Sequence, residues 1–258
     1  MTLFILRILF FAKNILMFVT NKKTTFVFLN KKNLFKAIDK IQTHYFCSLK
    51  RGFKHYNKGL AYRGNEIAIS YGIDKIKFNE NDKVIDCGAN VGDLFLFLRE
   101  KINHNNYFAF EPSSLEYNAL VQNAPTANNF NVALAEKDGE SELYLNIKKA
   151  DSSLIEPKKY SEKLTVKTST IDSIFKNYNL TKLRLLKLEA EGYEPEILLG
   201  AKDSIKNIDY IAIDGGYERG IKQEETFTIL TNRLIENGFS IIFVNFKFGR
   251  ALFIYNGH

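Results

Sequence analysis

The sequence predicts an α/β fold with a mostly parallel sheet in three layers, on three observations. From residue 83 onward, short apolar runs of strand length alternate with helix-length segments. The stretch Val84-Ile85-Asp86-Cys87-Gly88-Ala89-Asn90-Val91-Gly92 reads as a buried strand that turns on small residues into a helix starting near Asp93. Acidic residues then stand at the ends of later strands, where open α/β sheets bind their ligands.

Taken in order, residues 3–19 are apolar but interrupted by Arg7, Lys13 and Asn14, which share one side of a helical wheel with Thr20. A membrane span needs about 20 mostly uncharged residues, and a signal peptide carries its charges ahead of its apolar core. The pattern instead predicts an amphipathic helix, either lying in a membrane interface through residues 1–23 or packed on protein. Residues 33–58 read as helical, with Leu34, Phe35, Ile38, Ile41 and Phe46 near helix spacing, and 65–73 as a further helix. Aromatics among Lys50, Arg51, Lys54 and Lys58 could stack nucleobases or turn inward behind a basic solvated face. Residues 1–77 thus form a basic helical N-terminal extension on a domain at 78–258.

In that domain the expected elements are a strand at 83–87, a helix at 93–102, a strand at 107–110 and a helix at 114–123. A strand at 130–135 leads through the hairpin signal Asp138-Gly139 to its return at 141–147. Next come a strand at 164–168, a helix at 171–178 opened by Thr170, and a strand at 183–189. A helix with Pro195 in its first turn precedes a strand at 209–214 and a helix at 222–237. Strands at 239–245 and 250–255 close the sheet.

Composition narrows the function. At 258 residues the chain can bury one full core with an appendage. Two cysteines, Cys47 and Cys87, make no disulfide framework, which points to a reducing, cytoplasmic compartment. Four scattered histidines show no zinc spacing. There is no Ser/His/Asp or Cys/His set for covalent hydrolysis. Residues 1–77 hold 15 Lys/Arg against Asp39, Glu66 and Asp74, giving +12, while the remainder is at −5. A basic front on a mildly acidic body suggests an anionic surface as partner, such as the inner face of a membrane.

The strand–loop–helix stretch is a cofactor site. A dinucleotide fold would show G-x-G-x-x-G, but here the pattern is D-x-G-x-N-x-G, with Asn90 where the second glycine would fall. A carboxylate at Asp86 would repel a pyrophosphate and suits an ammonium group, so the reading is S-adenosylmethionine, held by Asp86, Gly88, Asn90 and Gly92. Glu111 follows Asp86 by 25 positions at the end of the next strand, where a carboxylate accepts ribose hydroxyls. Later strand ends carry Lys187, Glu189 and Glu191, then Asp214. Glu189 and Glu191 would share one face of an extended strand. Solvated loop acids with a salt bridge to Lys187 are the plain alternative.

Together VIDCGANVGDL, YFAFEPSSLEYNALVQN, VALAEKDGESELYL with DSSL, TIDSI and LLKLEAEGYEPEILLGA resemble the FkbM family of methyltransferases, over about residues 60–245. The resemblance implies a class I, Rossmann-like S-adenosylmethionine-dependent fold and O-methylation of a hydroxyl on a saccharide, glycolipid or similar small molecule. The family's glycine loop falls on Asp86, Gly88, Asn90 and Gly92, and its ribose acid on Glu111. Its Lys-x-Asp-x-Glu-Gly appears as Lys187-Leu188-Glu189-Ala190-Glu191-Gly192, with Glu189 one methylene longer than the usual aspartate. Asp214-Gly215-Gly216 follows the next strand.

Methyl transfer to a hydroxyl needs positioning and a base for the leaving proton. Glu189, Glu191 and Asp214 are the candidates, with Lys187 orienting one carboxylate. A Mg²⁺ site from the same acids is a lesser alternative. A membrane-associated binding or scaffold module that keeps the fold without chemistry is the rival reading, resting on the longer Glu189 and the small Gly215-Gly216. The absence of an N/D-P-P-Y motif, and basic residues outside the fold, argue against nucleic acid as substrate.

Overall fold

A computed structural model describes residues 3–20, 24–28, 34–146 and 151–257. The N-terminal layer contains α1 (Leu3–Val19), β1 (Thr25–Phe28), β2 (Phe35–Ile38), β3 (Thr43–Phe46), α2 (Leu49–His55) and α3 (Leu60–Tyr71). Strands β1, β2 and β3 form an antiparallel sheet under α1. This corrects the helix expected across residues 33–58. Phe35 and Ala37 on β2, and His44 and Phe46 on β3, are buried at every second position, the period of a strand. Between them, Asp39 Oδ1 accepts from the backbone N–H groups of Ile41 and Gln42, both at 3.0 Å, and bends the chain back.

Helix α1 also sits differently from its expected amphipathic arrangement. Asn14 points inward: its Nδ2 donates to Phe26 O and its Oδ1 accepts from Phe26 N, each at 2.8 Å. Lys13 Nζ lies over the rings of Phe26 and Phe53. Phe10 and Met17 are buried, whereas Ile8, Phe11, Ile15 and Phe18 are exposed. Asn14 thus satisfies Phe26 on β1, and an apolar face is left outside. Among the described residues, no helix is long and apolar enough to cross a membrane; residues 1, 2 and 21–23 of the expected membrane segment lie outside those described.

The larger domain begins with β4 (Val84–Cys87), α4 (Phe95–Leu98), β5 (Tyr107–Phe110), α5 (Ser114–Asn123) and β6 (Asn128–Phe130). A side sheet follows, made of β7 (Ala133–Leu134), β8 (Gly139–Asn146), β9 (Asp151–Ser153) and β10 (Glu162–Ser169). Then come α6 (Ile171–Asn177), β11 (Leu183–Leu188), α7 (Glu194–Leu199), β12 (Ile208–Asp214), β13 (Tyr217–Arg219), β14 (Glu224–Glu225), α8 (Phe227–Glu236), β15 (Phe239–Asn245) and β16 (Arg250–Tyr255). The central sheet runs β15-β16-β12-β11-β4-β5-β6, with β16 antiparallel to its neighbours and the other pairs parallel.

Three expected elements are shorter than their patterns suggest, and the first, the helix expected at 93–102, forms only over Phe95–Leu98. The strand at 130–135 divides, because Phe130 pairs with Phe110 on the central sheet while Ala133 and Leu134 pair with β10 on the side sheet. The helix at 222–237 starts only at Phe227, since Gly220 and Gln223 take left-handed backbone and turn a small β13–β14 hairpin.

Strand parity builds the three layers. Ile85, Cys87, Leu186, Leu188, Ile211 and Ile213 pack against α6, α7 and α8 through Ile174, Ile197 and Leu230. The alternate residues Val84, Leu185, Ala212 and Leu252 face α3 and α5 through Tyr71 and Leu120. Asp86, Lys187, Asp214 and Arg250 have the second parity, so their side chains converge at the α3 end of the sheet. Strand β4 lies between β5 and β11, the point at which the order of a doubly wound sheet reverses.

Candidate active site

Strand β4 is buried throughout and ends in a loop of left-handed residues: Gly88 at φ 67°, Asn90 at φ 50° and Gly92 at φ 85°. Gly88 is required sterically, because a Cβ there would stand 1.8 Å from the carbonyl oxygen of Glu189. Its N–H and that of Ala89 both donate to Phe110 O at 3.0 Å, binding the loop to the end of β5. Asn90 tolerates the left-handed conformation. Its Oδ1 accepts from Val91 N at 3.0 Å, and its own N–H donates to Glu111 Oε2 at 2.9 Å. The loop and the predicted ribose acid are therefore one unit.

Glu111 also accepts from Ser113 N at 2.9 Å. Burial, reinforced by nearby Glu116, pushes its carboxyl up to about 8. A ligand offering two hydroxyls to this group would restore the polar surroundings that burial removed.

Lys187 stands opposite Asp86 in the β11–β4 register. Its Nζ lies 3.0 Å from Asp86 Oδ1 and 2.8 Å from Glu189 Oε2, and donates to Gly88 O at 2.9 Å and Cys87 O at 3.2 Å. Burial alone would favour the neutral amine, but Asp86 and Glu189 outweigh it and keep Lys187 charged. The ammonium beside Asp86 thus belongs to the chain itself, and Tyr107 donates its hydroxyl to the other carboxylate oxygen.

Glu189 is held on its other side by Arg250 Nη2 at 3.3 Å. Burial would raise its pKa, yet Lys187 and Arg250 bring it down to about 2. Asp214 is paired with Arg250 Nε at 2.7 Å and accepts from Tyr71 Oη at 3.3 Å. It stands behind Arg250, outside the residues that line the main cavity. Arg250, whose guanidinium also lies 4.2 Å over the Tyr71 ring, was not predicted from sequence. Its signal was its place at the start of the return strand, in register with Asp214.

Glu191 leaves this group. Strand β11 ends at Leu188, and Glu191 at φ 51° and Gly192 at φ 96° turn the chain, so Glu189 and Glu191 do not share one extended face. The turn is held by Glu194, a second residue the sequence reading missed. Its Oε1 accepts from Ala190 N at 2.6 Å and Gly192 N at 3.3 Å, and complete burial pushes it up to about 8. Glu191 thereby reaches the wall shared by two cavities.

The N-terminal layer grips the same loop through Asp93. His44 Nε2 at 3.0 Å, Tyr56 Oη at 2.7 Å and Arg63 Nε at 2.8 Å all meet this carboxylate. Burial would raise Asp93, but Arg63 and His44 hold it well below the usual carboxylate range. The aromatics of α2 and its C-terminal end pack inward: Phe53 lies against Phe10 and Phe26, and Tyr56 against Phe46 and His44.

Three cavities meet along the ends of β5, β4 and β11. The largest, about 890 Å³, reaches Asp86, Gly88, Asn90, Lys187, Glu189 and Glu191. A second of about 230 Å³ shares Asn90 and contains Glu111, Ser113 and Asn146. A third of about 40 Å³ shares Gly88 and Glu189 with the first and is lined by Phe110, Leu134, Leu143 and Tyr193. The largest cavity therefore joins a small pocket that holds the buried Glu111 carboxyl on one side and a small apolar slot on the other. Among the described residues, no group of three or more His, Cys, Asp or Glu side chains could hold a metal ion.

Comparison with known proteins agrees with this geometry. The model of the methyltransferase FkbM domain matches residues 86–241. Hexuronic acid methyltransferase AglP of Haloferax volcanii is 23% identical over 137 residues, covering 52% of this chain and 56% of that protein. Methyltransferase 1 of Beauveria bassiana is 24% identical over 163 residues, covering 54% of this chain and 66% of its own length. This chain thus spans less than two thirds of each of these curated relatives. The crystal structure of methyltransferase FkbM from Methylobacillus flagellatus KT superposes with a TM-score of 0.50 at 16% identity, covering 79% of this chain and 52% of that one. The class I methyltransferase fold and the family match together establish that this chain belongs to the FkbM methyltransferases.

Proposed function

We propose that the protein transfers a methyl group from S-adenosylmethionine to a hydroxyl of a saccharide or glycolipid. The observation that carries the reading is that the largest cavity, lined by Glu191, joins the Glu111 pocket through Asn90 and the apolar slot through Gly88 and Glu189. The relative named as a hexuronic acid methyltransferase supports a saccharide acceptor.

When bound, the cofactor supplies an electrophilic methyl group. Glu111 would receive the ribose hydroxyls, and Phe110, Leu134 and Tyr193 would offer an apolar wall to the base. Lys187 locks Asp86, Gly88 and Glu189 into one rigid floor, so that the loop is already shaped before binding. Of the three candidate bases, Glu189 is ion-paired on both sides and Asp214 lies behind Arg250. Glu191, on the wall of the same cavity, is read as the group that takes the hydroxyl proton as the new bond forms.

Calorimetry with S-adenosylhomocysteine tests the cofactor, and transfer of labelled methyl groups into a glycan extract tests the reaction. Binding that survives Glu111→Ala undiminished would refute the cofactor site. Binding without turnover would favour the non-catalytic module.

We further propose that α1 rests on an anionic lipid surface. Its exposed Ile8, Phe11, Ile15 and Phe18 form an apolar face beside Arg7, on the part of the chain that carries +12.

A further inference from the structure

The charges around the 890 Å³ cavity sort into two sets. On its floor each cation is matched by acids: Arg63 by Asp93 and Glu66, Lys187 by Asp86 and Glu189, Arg250 by Asp214 and Glu189. The wall made by α2 and the turn after it is different. Lys50, Lys54 and Lys58 line it with Arg51, and the stretch between Asp39 and Glu66 holds no acid of its own. Lys58 Nζ is 3.1 Å from the neutral Tyr62 hydroxyl, with Glu66 the acid that acts on its charge. Lys247, on the turn between β15 and β16, adds a further cation, while Glu191 and Glu218 also line the cavity.

His55 stands on the same wall. Burial and the neighbouring Arg63, Arg51 and Lys54 lower it to about 4 against the opposing pull of Asp93, so it stays neutral at physiological pH. A wall of lysines along one side of a cleft raises the local potential towards an incoming anion.

We infer that the methyl acceptor carries a fixed anionic group, a carboxylate or a phosphate, which Lys54, Lys58 and Lys247 receive while its hydroxyl turns towards Glu191. This rests on the proposed transferase reading and adds the class of acceptor. The cofactor end needs no such charges, since its tail is met by the paired floor. The lysines are therefore specificity residues for the acceptor.

The test uses the full chain, labelled S-adenosylmethionine and a cell extract of glycans and small metabolites, resolved afterwards on an anion exchanger. The expected result is label in the retained fraction, with transfer falling as salt is raised. In the double variant Lys54→Glu, Lys58→Glu, kcat/KM for that fraction should drop about tenfold through KM, with S-adenosylhomocysteine affinity unchanged. Arginine at both positions should restore transfer. Phosphatase treatment separates the two sources: label that then flows through was on a phosphate-bearing acceptor, and label still retained was on a carboxylate. Label in the unretained fraction, or retained label whose transfer ignores the double variant, overturns the inference. Label released as nucleotides by ribonuclease overturns it as well. A protein that binds the cofactor and labels neither fraction defeats the transferase reading, and this inference falls with it.

Discussion

Arg63 Nε stands 2.8 Å from Asp93 Oδ2, and this pair joins the N-terminal layer to the helix that follows the glycine loop. Arg63 is buried, and its Nη1 reaches Glu66 at 2.8 Å as well. Removing the guanidinium leaves Asp93 with only His44 and Tyr56. Breaking one partner of a buried pair costs about 3–5 kcal/mol. Arg63→Ala should lose stability on that scale in urea unfolding, and cofactor affinity should fall with it as the loop loosens. A loss no larger than that of an exposed arginine such as Arg7 would show that the layer is not anchored there.

Gly88 allows the β4 loop to touch the chain beyond β11. In Gly88→Ala the new Cβ meets Glu189 O and the residue must hold φ 67°. The left-handed backbone alone costs about 1–2 kcal/mol, and moving Glu189 disturbs the contact with Lys187. The variant should fold with reduced stability and lose S-adenosylhomocysteine binding in calorimetry. Wild-type affinity in a folded variant would contradict the role given to the loop.

Glu194 and Glu111 give a pH dependence with a defined sign. Both are raised to about 8 in the folded protein, from 4.5, so the folded state keeps protons that the unfolded chain has released. Their contribution is complete below the unfolded value and is lost as pH rises through about 8. Glu189 and Asp93 are lowered, and their contribution is lost only in acid, as pH falls through their folded values. His55, lowered from 6.5 to about 4, acts in the same direction as those acids and is silent above about 6.5. Between about 6.5 and 8, unfolding free energy should decline as pH rises, and Glu194→Gln should make the decline shallower. Urea titrations at several pH values measure this, and an unchanged slope would remove Glu194 from the account.

On α1, Phe11 and Phe18 are 69% and 87% exposed, so replacing both with serine leaves the packed face of Phe10 and Met17 intact. The protein should float with vesicles of phosphatidylglycerol and phosphatidylcholine, and Phe11→Ser with Phe18→Ser should lose at least half of the bound fraction. Equal flotation of both proteins would exclude this face as the anchor.

Much of the site was legible in the sequence because it is local. A strand, a left-handed loop and the start of a helix are encoded within Val84–Gly92 by small residues and one asparagine, and backbone sterics act over neighbouring residues. Glu111 was found for the same reason, as a residue at the end of the next strand. The sequence names Glu189 and Lys187 as members of the site and pairs Lys187 with one of the acids, but it does not show Arg250 as the partner of Glu189 and Asp214.

Those partners come from contacts distant in sequence. Arg250 meets Asp214 only because β16 runs antiparallel beside β12, and Asp93 is gripped from β3, from the end of α2 and from α3. The same holds for the strands at 35–38 and 43–46, whose apolar spacing imitates a helix until β1 supplies an edge to pair with. For this protein, the sequence by itself determined the family, the sheet and the glycine loop, through short-range backbone preference and apolar period. Only the tertiary structure decided which acids are neutralised, that Glu191 is turned away from Glu189, and that α1 shows its apolar face outward, because pairing and burial depend on sheet register and layer packing.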